Sequence, residues 1–188
     1  WPALVLAGVE RVRIDPGNTA MTPLDFVSYP YSHSLATLVV WGLALAFVYG
    51  RVVPTAPSAA FPILAALVVS HWILDVVTHR PDMPIYPGGP KVGLSLWQSI
   101  AATLVVELSM YAVGVWIYLR ATRASDAVGR WATVALIVVL LVAYVANILG
   151  GPPPSVVAIG IVGLLGGVVL LLLGWWADRH RTPAAAAA

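Results

Sequence analysis

Five apolar segments set the limits on what this chain can fold into. Each is close to the ~20 residues that a helix needs to cross the hydrocarbon core of a bilayer, and they occupy residues 34–50, 59–78, 96–119, 131–149 and 156–176. The composition agrees, because 60% of the 188 residues are hydrophobic, 10% are charged and the mean hydropathy is +0.90. The sequence therefore predicts an all-α fold, a polytopic transmembrane helical bundle with about five full spans.

The two ends of the chain complete this prediction. Residues 1–9 form a shorter apolar run, which we interpret as a partial N-terminal helix, the last part of a further span. Residues 184–188 are all alanine and are assigned to a low-complexity tail. We expect residues 1–183 to form a single integral membrane helical domain.

The polar segment before the first full span carries two local signals. The order Thr22-Pro23-Leu24-Asp25 is typical of a helix start, with Asp25 as a capping acid, and predicts a short helix at the membrane surface. Tyr29 and Tyr31 follow, and aromatic side chains of this kind form a belt where a membrane meets water.

The basic residues predict the orientation in the membrane. If Arg51, the 120–130 loop and the C-terminus face the cytoplasm, that side carries the larger share of the ten lysines and arginines, as the positive-inside rule favours. Residues 10–33 and 79–95 then lie on the outer side. We expect the protein in an inner (plasma) membrane, with this end facing the periplasm or the exterior.

Residues 70–79 are the least ordinary stretch, because ionisable side chains recur there at intervals of four within an apolar segment. His71, Asp75 and His79 share one face of the predicted helix. A carboxylate buried in a membrane costs several kcal/mol unless a positive group lies beside it, so Asp75 needs a partner. A bound metal ion is one candidate, and a protonated histidine is another.

Two further ionisable groups lie at a similar depth on other helices. His33 stands at the outer end of the first full span, and Glu107 lies about 16 Å inside the third. We expect His71 and Asp75 to bind a divalent metal ion, with zinc as the expected metal, and His33 to add a third ligand. The chain has no cysteine, so only His, Asp and Glu side chains are left to bind a metal.

The remaining polar residues near this site receive supporting roles. We expect His79 or Glu107 to transfer the catalytic proton, with His79 acting as an acid, a base or a ligand to a second metal ion. We expect Thr78 to support a metal ligand and fix its orientation. Arg80 and Lys91, in the proline-rich loop after the second span, are the expected contacts for a substrate anion.

These motifs resemble a known family. His33-Ser34-Leu35 opens one span, a Ser-His-x-x-x-Asp-x-x-Thr motif closes the next at residues 70–78, and a proline-rich loop follows. This pattern is similar to the YdjM-like family of bacterial inner-membrane metal-dependent hydrolases and covers roughly residues 30–95. The resemblance implies a metal-binding hydrolase site on His33, His71 and Asp75. That family also has an acidic motif near its N-terminus, for which Glu10 and Asp15 are poor substitutes here.

The leading hypothesis is a membrane-embedded metal-dependent hydrolase that acts on a lipid-linked or amphiphilic ester, or phosphoester, near the outer membrane surface. One alternative is an ion-coupled transporter or permease in which His71, Asp75 and Glu107 relay protons. Another is an accessory structural subunit of a membrane complex, in which the polar cluster serves helix packing.

The partners follow from the same composition. The substrate is expected to be a membrane lipid or a lipid-linked molecule. The basic residues are too few and too dispersed for a nucleic-acid surface. Gly163 and Gly167 form a small-xxx-small pair that predicts close helix packing within one chain, with a homo-oligomer seam as the alternative.

Overall fold

The computed structural model describes residues 1–184, so residues 185–188 of the predicted alanine tail lie outside the described part. The chain divides into two compact units, Trp1–Ile100 and Ala101–Ala188. Each unit has its own packing and is described by itself. The expectation of a single domain over residues 1–183 stays a prediction.

Helices dominate both units, and the strands are short. In chain order the elements are α1 (Pro2–Leu6), β1 (Arg11–Ile14), β2 (Leu24–Ser28), α2 (Pro30–His33), α3 (Leu35–Val52), α4 (Ala60–Thr78), β3 (Met83–Pro84), β4 (Lys91–Val92), a 3-10 turn (Leu96–Gln98), α5 (Ile100–Ala121), β5 (Thr122–Ala124), α6 (Ala127–Leu149), α7 (Val156–Arg179) and β6 (Arg181–Pro183). Five of these helices, α3 to α7, are long and apolar enough to cross a membrane. The predicted all-α polytopic membrane fold is confirmed, and α1 occupies part of the predicted partial N-terminal helix.

The ends of the long helices follow the local sequence. Ser34 and Asp126 are extended N-cap residues whose side chains accept hydrogen bonds from the first turns of α3 and α6. Helix α4 ends at Thr78, and the next residue, His79, is already extended. Pro81 disfavours helical backbone at the residue before it, so the predicted end of this span is confirmed.

In the first unit, α3 and α4 pack closely against each other. A Cβ atom added to Gly42 would lie 2.9 Å from the backbone oxygen of Ala65, so a glycine is needed at this contact. Since a short loop joins the two helices, they run in opposite directions and place residues 33–35 at the same end as residues 75–79. This arrangement brings His33 to the level of Asp75.

The polar end of this unit is formed by residues that precede α3 in the sequence and residues that follow α4. Strands β1 and β2 form an antiparallel hairpin with Arg13 opposite Asp25, and β3 pairs with β4. The backbone N–H of Met21 donates to Trp97, which joins the N-terminal segment to the chain before α5. Residues 10–33 and 79–95 therefore lie at one end of the first unit.

The prediction of a short helix starting at Thr22 is wrong, because residues Leu24–Ser28 form strand β2. The backbone oxygen of Pro23 accepts a hydrogen bond from Asp15, and that of Leu24 accepts one from the side chain of Asn18. These bonds across the hairpin stabilise extended backbone and override the local helix-start pattern.

Asp25 and Tyr29 are buried rather than interfacial. Asp25 is 5% exposed and pairs with two arginines, so it is not a helix cap. Tyr29 is 1% exposed and is not part of a surface belt, whereas Tyr31 is 49% exposed. The local sequence does not distinguish these two tyrosines, and only their tertiary surroundings do.

In the second unit, α6 packs against α7, and β5 pairs antiparallel with β6. Gly129 approaches the backbone oxygen of His180 so closely that a Cβ atom would lie 2.0 Å from it. These contacts place the loop after α5 and the segment after α7 at the same end of this unit. The expected orientation in the membrane requires the arginines of these two segments to lie on the same side.

Candidate metal centre

His33, His71 and Asp75 meet at the polar end of the first unit. His33 is the last residue of α2, and His71 and Asp75 lie one turn apart on α4. One donor atom from each side chain lies within 4.8 Å of the other two. These are the three residues that the sequence nominates as metal ligands.

The spacing of the donor atoms is close to that of a coordination shell. Oδ2 of Asp75 lies 3.2 Å from Nε2 of His71 and 3.8 Å from Nε2 of His33. Ligand atoms around a tetrahedral zinc ion, with bonds of about 2.1 Å, lie about 3.4 Å apart. The two distances from Asp75 are near this value, and the two imidazole donors lie within 4.8 Å of each other, so the donor set suits a small divalent cation.

The carboxylate of Asp75 has an unusual environment. Its Oδ2 atom is buried and accepts no hydrogen bond from any residue in the described part of the chain. Nε2 of His71 lies 3.2 Å from this oxygen but forms no hydrogen bond with it. A buried carboxylate oxygen without a donor is costly, and a bound cation removes that cost.

The two imidazoles differ in exposure. The side chain of His33 is 13% exposed and that of His71 is 51% exposed. Burial, together with the nearby His71 and His79, lowers the pKa of His33 to about 3. His33 is therefore neutral near pH 7, which is the form of histidine that binds metal ions.

Glu10 lies close to His33, and its contacts were not predicted from the sequence. It is 1% exposed, and its carboxylate accepts hydrogen bonds from the backbone N–H groups of Tyr31 and Ser32 at 2.8 and 2.9 Å. It also accepts one from the Ser32 hydroxyl at 2.5 Å. The fold thus buries Glu10 beside His33, and its comparison with the acidic motif of the YdjM-like family stays a prediction.

His79 belongs to a second, adjoining network. It is 4% exposed, its Nδ1 lies 3.0 Å from Oδ1 of Asp82, and its ring packs on Phe26 and Trp97. Tyr29 donates a 2.7 Å hydrogen bond to the same carboxylate oxygen. His79 therefore belongs to this network and does not contribute a donor atom to the group of His33, His71 and Asp75.

The charge of Asp82 is stabilised where it lies. Burial by itself raises the pKa of this carboxyl, but hydrogen bonds from His79 and Tyr29, the charge of His79 and a hydrogen bond from Arg80 outweigh burial. The net effect is that the pKa of Asp82 is lowered from its ordinary value.

Arg80 is engaged within the protein, and its predicted role as a substrate contact stays a prediction. Its guanidinium donates to the side chains of Asn18, Asp25 and Asp82, the last at 3.2 Å. These bonds engage all three guanidinium nitrogen atoms, while the side chain stays 38% exposed. Arg80 instead links the β1–β2 hairpin to the segment after α4.

Lys91 and Thr78 have simpler surroundings. Lys91 is exposed and stands at the rim of a cavity of about 230 Å³ that Tyr29 and Asp82 also line. The hydroxyl of Thr78 donates to the backbone oxygens of Leu74 and Asp75 at 3.4 and 3.2 Å. Thr78 therefore braces the last turn of α4 through the main chain of Asp75.

Glu107 belongs to the second unit. It lines an apolar cavity of about 300 Å³ within that unit, together with Tyr111, Tyr144 and three leucines. Its predicted role in proton transfer stays a prediction.

The fold and this cluster define a polytopic helical membrane protein with a candidate metal centre at the polar end of its first helix pair. A scan against protein-family models, a search of curated proteins and a search of solved structures each found no match to this chain.

Proposed function

We propose that the protein is a membrane-embedded metal-dependent hydrolase in which His33, His71 and Asp75 bind one divalent metal ion, with zinc as the preferred metal. The observation that carries this proposal is the buried Oδ2 atom of Asp75, which accepts no hydrogen bond from residues 1–184 and lies near two imidazole nitrogens. Two imidazoles and one carboxylate form a ligand set that hydrolytic zinc sites use.

The proposed site has an accessible side. Three protein ligands leave a coordination position open, and the half-exposed ring of His71 marks where water and substrate reach it. When bound, zinc lowers the pKa of a water molecule to about 7 and polarises an ester oxygen. The chain's own groups must then hold the ligands and accept a proton.

His79 is the proposed proton acceptor in this site. Its Nδ1 lies 3.0 Å from Oδ1 of Asp82, an arrangement that orients the imidazole ring. The ring of Tyr29 packs on both His33 and His79, with ring centres 5.2 and 6.0 Å away. The acceptor is therefore held next to the ligands by a buried aromatic side chain.

The position of the cluster supports an amphiphilic substrate. It lies where the apolar helices α3 and α4 meet the polar residues 10–33 and 79–95, so a molecule with a polar ester and an apolar chain fits both surroundings. We propose a lipid-linked or amphiphilic ester or phosphoester, with the exposed Lys91 as the anion contact. We also propose that this end faces the outer side of an inner membrane and that the chain is related to the YdjM-like hydrolases.

Metal analysis of the detergent-purified full chain tests the proposal. We expect about one equivalent of zinc in the unaltered protein and less than about a tenth in the His33→Ala, His71→Ala and Asp75→Asn variants. His180→Gln is the matched control, because His180 pairs with Asp126 in the second unit and should leave the metal content unchanged.

A hydrolysis assay with two probes in mixed micelles then tests the reaction. A long-chain p-nitrophenyl ester and a p-nitrophenyl phosphodiester should be cleaved by the zinc-loaded protein and not by the three ligand variants. Retention of zinc in the ligand variants, or equal cleavage by all of them, would overturn the proposal. Proton flux in liposomes without metal binding would favour the transporter alternative instead.

A further inference from the structure

We propose that Glu10 is a positioning residue that acts through the Ser32 hydroxyl to hold His33 in the tautomer with its proton on Nδ1. In that tautomer the Nε2 lone pair is free on the side that faces Asp75. The metal-binding consequence rests on the proposed function above, whereas the tautomer itself is a property of the protein without metal.

The first step concerns the carboxylate of Glu10. Three donors converge on it, namely the backbone N–H groups of Tyr31 and Ser32 and the Ser32 hydroxyl, and the side chain is 1% exposed. A carboxylate only accepts hydrogen bonds. The hydrogen of the Ser32 hydroxyl must therefore point toward Glu10, across a distance of 2.5 Å.

The second step concerns Ser32 and His33. The Ser32 Oγ atom also lies 2.6 Å from Nδ1 of His33. A serine hydroxyl has one hydrogen, and Glu10 already receives it, so Oγ acts toward the imidazole as an acceptor. Nδ1 of His33 must then be the donor and carry the proton. In a neutral imidazole this leaves Nε2 unprotonated and able to bind a cation.

The third step concerns the direction of the ring. Trp1 packs edge-on against His33 with ring centres 6.4 Å apart, and Tyr29 does so at 5.2 Å. These contacts and the bond to Ser32 fix the plane of the imidazole. Nε2 is then aimed at Oδ2 of Asp75, 3.8 Å away. Metal-binding histidines in proteins commonly have their second nitrogen held in this way.

A purely structural role for Glu10 gives a different expectation. Its two bonds to backbone N–H groups stabilise the first turn of α2, and a helix cap needs no more than those. Ser32→Ala separates the two roles, because it removes the hydroxyl bridge and leaves both backbone bonds in place. Ser32→Thr is the matched control, since it keeps the hydroxyl.

The test uses the full chain in detergent, labelled with isotopic nitrogen in histidine and freed of metal with a chelator. Long-range proton–nitrogen correlation spectra report which ring nitrogen carries hydrogen, and His33→Gln identifies the signals of His33. We expect the Nδ1–H tautomer in the unaltered protein and in Ser32→Thr. We expect loss of that preference in Ser32→Ala and in Glu10→Gln.

Zinc competition measurements give the second readout. Ser32→Ala and Glu10→Gln should weaken zinc binding by roughly tenfold to a hundredfold, while Ser32→Thr stays near the unaltered value. An Nε2–H tautomer in the unaltered protein, or an unchanged tautomer in Ser32→Ala, overturns the positioning role even if Glu10→Gln fails to fold. The expected tautomers with no zinc binding at all would instead refute the proposed metal centre.

Discussion

The hydroxyl of Tyr29 donates a 2.7 Å hydrogen bond to Oδ1 of Asp82, and the two residues are only 1% and 7% exposed. In the sequence, Tyr29 precedes the α3–α4 helix pair and Asp82 follows it. His79 and Arg80 bond to the same carboxylate. This buried network ties the N-terminal segment to the end of α4 beside the proposed metal ligands.

Removing the Tyr29 hydroxyl should destabilise the first unit. In Tyr29→Phe, Asp82 loses a donor in a buried place, and we expect a loss of about 1–3 kcal/mol in the free energy of unfolding. Chemical unfolding in detergent micelles measures this loss. Tyr31→Phe is the control, because Tyr31 is half exposed and its change should have little effect. Equal stability of both variants would contradict the network.

Arg80 and Lys91 should behave differently when replaced by alanine. Arg80→Ala leaves the buried carboxylates of Asp25 and Asp82 without a shared cation, so we expect it to lower the unfolding free energy by about 1–3 kcal/mol. Lys91→Ala should leave stability near that of the unaltered protein, because Lys91 is exposed.

Hydrolysis of the p-nitrophenyl ester and the p-nitrophenyl phosphodiester distinguishes the role of Arg80 from that of Lys91. Lys91→Ala should slow cleavage of the anionic phosphodiester more than cleavage of the neutral ester. If Arg80→Ala kept full stability and selectively lost phosphodiester cleavage, the original assignment of Arg80 as the anion contact would be right.

The lowered pKa of Asp82 predicts a dependence of stability on pH. Since the unfolded chain has the higher pKa, near 3.8, it binds the proton first as the pH falls. The stabilisation is therefore complete well above about pH 4 and is lost as the pH falls below it, through the folded pKa. Unfolding measured over this range should show a smaller dependence on pH in Asp82→Asn. An equally steep dependence in that variant would contradict the assignment.

Gly42 should control the approach of α3 to α4. In Gly42→Ala the added Cβ would lie 2.9 Å from the backbone oxygen of Ala65, so the helices must shift, at a cost of about 1–3 kcal/mol. Zinc affinity should fall as well, because α4 carries two of the proposed ligands. Gly114→Ala is the control, since a Cβ there would meet no atom within 4 Å in the described part of the chain. Thermal unfolding and zinc competition check both expectations.

The long helices and their ends are the part of the fold that local sequence predicts well. The length of an apolar segment, the capping side chain of Ser34 and the end of α4 before Pro81 depend only on nearby sequence. They can therefore be recognised without tertiary information. The four-residue spacing of His71 and Asp75 on α4 is visible for the same reason. The level of His33 in the membrane predicts that it lies near His71 and Asp75, and the structure brings the three residues together.

The roles of Glu10, Tyr29, Asp25 and Arg80 could not be predicted in this way. Glu10 precedes a short strand and bonds to α2, and Arg80 follows α4 and bonds to β2. Each of these contacts joins residues far apart in the chain. The local patterns at Thr22 and at Tyr29 favoured a helix and a surface belt, and long-range hydrogen bonds overrode both.

Apolar length and helical spacing are local properties, so the order of amino acids alone identifies a helical membrane protein with histidine and aspartate at one helix end. Which carboxylates are buried, which imidazole nitrogen is held by a neighbour and which arginine is already paired are known only from the folded structure. Those outcomes depend on hydrogen bonds between distant segments, since a buried charge is stable only where the fold supplies its partners.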